Sequence, residues 1–406
     1  MFVEGGFGKP RRRALGAALL GLALAASWAH ASPTIVPVPE IVLDPNEGDT
    51  YGLMLAMLFK DENNDVRYLF APDVRYNSYT GVYPVLRLLA YPTDDRFYSI
   101  AIGKSTTKDQ KYETEYENYE LLDHKAFVEA GVGYEDDSTE RFWGFGNRSP
   151  EDAESNYTSG IFLARAKPGY YLLPKLHVNL DSRVLFHDVS RGQVPGFPYI
   201  ATEHPEVRGR GLESAWFWMN RVALTYDSRD SRKIPKSGTF AEVYVDGSTT
   251  ALGSNKSFVK WGVQAKTFHS FRAAKNPTLA MRAGIDWMTG DDDSPFYLLN
   301  AVGGRRSLRG FGSDRFIDFN RSLASVELRT RVWSHRLFGV DLDVEVAPFV
   351  DTGQVFHDLG DSPVKSLHWV VGNGFRGLVH PQILAFVDLG YGSEGLAVFT
   401  GIDYPF

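Results

Sequence analysis

The sequence predicts an all-β fold, a transmembrane antiparallel β-barrel of 16 strands with a long loop at about 290–319 folded into its lumen. Three observations carry that prediction. From Tyr51 onward the chain is a series of segments about ten residues long that alternate apolar and polar side chains, as a wall between lipid and a wet lumen requires. Aromatic residues make up 14% of the chain and there are 39 glycines, the composition of strands joined by turns. Past the N-terminal region no run approaches the ~18 apolar residues of a transmembrane helix.

The N-terminal region reads as an export signal. Lys9, Arg11, Arg12 and Arg13 precede an apolar run from Ala14 to Ala26, and Ala29-His30-Ala31 supplies a small-x-small cleavage site. Residues 1–31 are therefore expected to be a signal peptide. Residues 32–50, with Pro33, Pro37, Pro39 and Pro45, read as a short extended periplasmic leader, and 51–406 as the barrel domain. With no cysteine there is no disulfide framework, and a net charge of −7 argues against nucleic acid as a partner.

The predicted strands are 51–59, 67–76, 81–91, 95–105, 112–122, 125–134, 156–167, 171–185, 213–226, 239–249, 257–269, 277–289, 320–333, 341–352, 368–378, 382–391 and 396–406. That makes seventeen, and bacterial barrels normally have an even number. The weakest is 112–122, which Glu113, Glu115, Glu117 and Glu120 interrupt. Alternation is clearest late in the chain. Val259, Trp261 and Val263 oppose Lys260, Gln264 and Lys266, while Leu342, Val344, Val346 and Val350 oppose Asp341, Asp343, Glu345 and Asp351.

A soluble barrel would put the apolar face inside, and a membrane barrel puts it outside. Strands of ~9–11 residues span a bilayer when tilted, whereas soluble strands are nearer ~5–6. Aromatics near strand ends (Trp287, Trp333, Trp369, Tyr391 and Tyr404) fit an interfacial girdle.

Connections fall into two classes. Tyr91 to Asp94, Lys167-Pro168-Gly169 and Arg272 to Pro277 read as short periplasmic turns, and 135–155, 186–212 and 290–319 as long extracellular loops. The last strand places Ile402, Tyr404 and Phe406 on one face with a terminal aromatic, the form of an outer-membrane insertion signal.

Within the 290–319 connection lies Val302-Gly-Gly-Arg-Arg-Ser-Leu-Arg-Gly-Phe311, and a loop that long inside a compact β-protein usually has a task. Its signature residues are Gly303, Gly304, Arg306, Ser307, Leu308, Arg309, Gly310 and Phe311. Glu327 and Asp351 fall on the charged faces of their strands. A desolvated arginine needs such carboxylates, so Arg309 is expected to pair with one of them.

These pieces resemble one family. Leu308-Arg309-Gly310-Phe311 looks like the arginine-glycine-aromatic signature of the bacterial surface-antigen superfamily of outer-membrane assembly and translocation barrels, which includes BamA-like, TamA-like and two-partner-secretion proteins. Glu327-Leu328-Arg329 resembles its Glu-x-Arg, and Phe349 to Val355 its Phe-x-Asp-x-Gly-x-Val. Asp227, Arg229 and Asp230, followed by Pro235 and Gly238, resemble its Asp-x-Arg-Asp leading to Pro-x-x-Gly, and Phe142 to Asn147 is similar to an aromatic-Gly-x-Gly-Asn of single-barrel members. The resemblance implies sixteen strands and a signature loop folded into the lumen, its arginine held by acids of the inner wall. Only residues 32–50 precede the first predicted strand, so the expected relative is a short member lacking the periplasmic POTRA modules.

The function implied is insertion or translocation of membrane protein or lipid at the bacterial outer membrane. The expected partners are outer-membrane lipid and lipopolysaccharide, with the assembly machinery inserting the barrel itself. The alternative is a passive or loop-gated channel. An enzyme is not expected: the histidines are scattered from His124 to His380, no Gly-x-Ser-x-Gly or His-x-x-x-His occurs, and neither metal nor cofactor is implied. Glycines near the last strands (Gly372, Gly374, Gly377, Gly390, Gly392, Gly395 and Gly401) would either soften a lateral seam or relieve packing.

Overall fold

The computed structural model describes residues 33–62, 65–273, 275–337, 340–358, 360, 366–379 and 383–402. The expected signal peptide, Tyr404 and Phe406 lie outside them, and Ile402 ends the last strand.

The strands are β1 (Thr34–Asp44), β2 (Gly48–Lys60), β3 (Val66–Asn77), β4 (Gly81–Thr93), β5 (Arg96–Lys104), β6 (Gln110–Glu120), β7 (Ala126–Phe142), β8 (Ser155–Leu173), β9 (Leu176–Arg191) and β10 (Ala215–Asp227). They continue as β11 (Gly238–Ser248), β12 (Phe258–Ser270), β13 (Thr278–Gly290), β14 (Asn300–Val302), β15 (Phe316–Asp318), β16 (Asn320–Leu337), β17 (Val340–Phe356), β18 (His368–Val379), β19 (Ile383–Gly392) and β20 (Gly395–Ile402). All but β14 and β15 pair antiparallel with their chain neighbours, β13 passes to β16 across the long loop, and β1 meets β20, closing one 18-stranded barrel.

Eighteen strands replace the sixteen expected. The segment 112–122, the weakest prediction, is a full strand, β6, because its glutamates alternate with Tyr112, Thr114 and Tyr116. The missing strand was in the expected leader: Thr34–Asp44 pairs along its whole length with β2, from Thr34↔Leu58 to Asp44↔Gly48. Two prolines hid it. Proline lacks a backbone donor and is confined in sheets to an edge with no partner waiting for that N–H. Its inward Val36 and Val38 also pack on Met54 and Leu58, between the inward Thr34 and Glu40, which breaks the apolar–polar alternation in the middle of β1.

Three local expectations are corrected. Lys167-Pro168-Gly169 is not a turn: β8 runs on to Leu173, paired with β7 through Val128↔Pro168, and only the ladder to β9 lapses there. Glu135, Asp136 and Asp137 lie within β7 rather than in a loop, since β7 extends to Phe142. The long connections are accordingly 143–154, 192–214 and 291–319, and all emerge at one end of the barrel, opposite the turns 94–95, 174–175 and 271–277.

Side-chain direction matches the alternation. Val259, Trp261 and Val263 are 45%, 43% and 45% exposed on the outer face, so the apolar rows face out. Trp261 stacks on Trp287 with centroids 4.1 Å apart, and Trp333, Trp369 and Tyr391 are also outward. At the loop end, Phe142, Ile200, Val207, Phe296 and Leu298 belong to an apolar cluster that roofs the barrel.

Candidate functional site, a plugged lumen

The loop 291–319 enters the lumen as a hairpin. β14 and β15 pair from Asn300↔Asp318 to Val302↔Phe316, pinching off a tip that carries the arginine-rich signature. Gly303 begins the tip at φ 128°, where a Cβ would run into the Gly312 carbonyl and the Arg315 amide. The Ser307 hydroxyl accepts from the Gly303 amide and donates to the Gly303 carbonyl at 2.7 Å each, and the Gly304 amide donates to the Phe311 carbonyl at 3.0 Å. These bonds make the tip a compact knot. Leu308 and Phe311 fix it to the wall in an apolar cluster with Phe349, Val355 and Val370.

Arg309 is fully buried at the centre of a charged cluster. Its guanidinium takes Asp351 with both arms of a fork, Nε to Oδ2 at 2.9 Å and Nη2 to Oδ1 at 3.0 Å. Its Nη1 donates to Glu327 at 2.7 Å and to Asp388 at 3.2 Å. The guanidinium carbon lies 3.4 Å from the ring centroid of Phe349, a cation–π contact.

Arg376 donates to Asp388 at 2.5 Å and to Glu327 at 3.2 Å, and Arg329 donates to Glu327 at 2.8 Å. Three guanidiniums thus balance three carboxylates, the only electrostatic state a dry site tolerates cheaply. Glu327 and Arg329 come from β16, Asp351 from β17, Arg376 from β18 and Asp388 from β19, so the loop arginine bonds three strands and Arg376 brings in the fourth.

Further anchors surround the cluster. Arg315 donates to Glu394 at 3.0 Å and to the Ser149 hydroxyl at 2.8 Å. Arg282 of β13 donates to the carbonyls of Arg306 and Ser307 at 2.6 and 3.3 Å, while the Arg306 side chain stays exposed. Asn147, from the aromatic-Gly-x-Gly-Asn stretch, accepts from the Val355 amide at 2.9 Å and donates to the Ser366 carbonyl at 2.6 Å. Gly390 of β19 has a packing role: a Cβ there would collide with the Arg309 carbonyl, and Gly310 rests against Val370 and Gly392.

Sequence reasoning named Arg309, Glu327 and Asp351, and the structure brings these three together. It missed Asp388 and Arg376 as cluster members. A signal existed: both stand on the charged side of alternating strands, with Phe375 and Val387 on the lipid side.

The second motif lies at the opposite mouth, in the β10–β11 connection. Asp227 accepts the Arg229 fork, from Nε at 2.9 Å and Nη2 at 2.7 Å. Asp230 accepts the amides of Lys236 and Ser237 at 2.9 and 3.1 Å, Pro235 is buried, and Gly238 at φ 98° starts β11. Ile234 of the same connection packs on Leu378, two residues along β18 from Arg376, so the motif lies on the turn side of the Arg309 cluster and close to it.

Against this geometry the comparisons with known proteins take their meaning. Residues 97–375 match the Omp85 superfamily domain. Among solved structures, BamA from Haemophilus ducreyi lacking POTRA domains 1-3 superposes with TM-score 0.55 at 14% identity, covering 94% of this chain and 78% of that one. CdiB from Acinetobacter baumannii matches at TM-score 0.45 and 10% identity over 91% of this chain and 59% of that one. CdiB from Escherichia coli matches at 0.47 and 12% over 95% and 69%. At such identities the first likeness is one of fold, and no curated protein sequence matches the chain.

Proposed function

Because the chain belongs to the Omp85 superfamily, we propose that it sits in a bacterial outer membrane and moves membrane protein or lipid into or across that membrane. The long loops face outward, the short turns face the periplasm, and no step is catalytic. Outer-membrane lipid, lipopolysaccharide and the assembly machinery are its partners in this reading.

The observation that carries it is the seam where the barrel closes. Among the described residues, β1 and β20 share one register pair, Leu43↔Val398. On either side the ladders are long: β1 pairs with β2 from Thr34 to Asp44, and β19 with β20 from Ala385↔Ile402 to Gly392↔Gly395. Pro37 and Pro39, two residues apart, strip donors from one edge of β1, and proline is tolerated on the edge away from a continuous ladder. With the signature loop docked in the lumen and one register pair joining β1 to β20 among the described residues, the seam is the route of sideways release in this reading.

The test uses the absence of cysteine. The pair Leu43→Cys/Val398→Cys, oxidised in proteoliposomes, should abolish insertion of a test barrel protein or lipid exchange between leaflets, and a reductant should restore it. Equal activity in the two redox states, or none in either, sinks the proposal. A gated channel is the second reading, supported by a lumen cavity of about 1020 Å³. Steady conductance by the unmodified barrel would favour it instead.

A further inference from the structure

The connection 228–237 between β10 and β11 leaves its own strands, which a plain hairpin turn has no need to do. Arg232 forms an ion pair with Asp95 in the β4–β5 turn, and its guanidinium lies 3.7 Å from the ring centroid of Tyr119 on β6. The Lys233 ammonium sits 4.5 Å from the centroid of Tyr91 and 4.2 Å from that of Phe97. Ile234 is buried against Leu378 of β18. Counted from β11 in the strand order, β6 and β4 lie five and seven strands away in one direction, and β18 lies five away in the other. The contacts therefore fall on opposite walls, and the segment spans the mouth.

The segment is braced to hold that reach. The Arg229–Asp227 fork, the Asp230 bonds to the amides of Lys236 and Ser237, and the Ser231 hydroxyl accepting the Ile234 amide at 3.1 Å stiffen it from within. Its attachments to the far wall are of another kind. Arg232 and Asp95 are 38% and 39% exposed, so water and salt screen their pair, and the apolar anchoring is small, Ile234 and Pro235. A stiff bar with weak end contacts is built to detach as a unit. Behind it lies the cavity of about 1020 Å³, walled by β4–β6 through residues such as Arg87, Ser99 and Glu113, and bounded on the far side by Arg305 and Arg306 of the plug.

We propose that residues 228–237 are a second closure of the lumen, a strap across the turn end. The plug 291–319 seals the loop end, so the cavity between them is a chamber reached from the turn side only when the strap lets go. This does not rest on the transport reading; a channel or an inserter would carry it equally.

Since the chain has no cysteine, Ser99→Cys places a single thiol on the chamber wall. Its reaction with a charged thiosulfonate is followed in the reconstituted barrel, alone and combined either with Arg232→Ala/Lys233→Ala or with Asp95→Asn. The second variant removes an acceptor on the far wall and leaves the strap intact. Folding of each is checked by heat-modifiable gel mobility. The strap predicts slow labelling with Ser99→Cys alone and labelling about tenfold faster or more in each combination that folds. Equal rates with and without the strap contacts, whether all fast or all slow, overturn it.

Discussion

Arg309→Ala probes the central cluster most directly. The substitution removes one of the three guanidiniums that bond the carboxylates Glu327, Asp351 and Asp388 and leaves Arg329 and Arg376 of that set. Asp351 loses both arms of its fork, and Phe349 loses the cation above its ring. Breaking a buried pair from one side costs about 3–5 kcal/mol, because a carboxylate is stranded without compensation. The loop is a separate element resting on the wall, so this cost falls first on the docked state of the loop and only then on the strands. At about 1.4 kcal/mol per decade, the ratio of docked to released loop falls by about two to three and a half decades.

Single-channel recording beside the parent is the assay. The parent should be quiet, and the variant should show frequent long openings through its eighteen-strand lumen once the strap is also released by high salt. Arg309→Lys should lie between them, since an ammonium restores the charge but not the fork. If Arg309→Ala stays as quiet as the parent and unfolds at the same denaturant concentration, the cluster does not hold the loop and the reasoning fails.

Two further outcomes follow from the same geometry. Gly390→Val should expel the loop without touching any charge, because a side chain at that position occupies the space of the Arg309 carbonyl; protease cleavage between Arg305 and Arg309 in the variant, absent in the parent, would report it. Asp388→Asn keeps the shape but leaves Arg376 short of a charged acceptor at 2.5 Å. It should lower stability by about 1.5–3 kcal/mol, read as an earlier midpoint in urea unfolding from bilayers, and an unchanged midpoint would show that Glu327 alone satisfies both arginines.

Most of the barrel was legible because alternation is a local property. A strand with one wet and one oily face writes its period into consecutive residues, and seventeen of the eighteen barrel strands could be read that way. Strand β1 could not, since Pro37 and Pro39 mimic a linker and Val36 and Val38 interrupt the polar positions of its inner face. The site was half legible for a related reason. Arg309 announces itself as a charge in a glycine-rich loop, and Glu327 and Asp351 as acids on inward faces of the next two strands.

What the chain alone determined, then, was the face each side chain takes and the need of a loop arginine for carboxylates. What only the tertiary structure decided was which distant groups meet. Asp388 stands 79 residues from Arg309, and Arg232 stands 137 from Asp95. Those meetings depend on how many strands close the ring and on how far each connection leans across it. Both are set by the summed register of every ladder, so no window of sequence contains them.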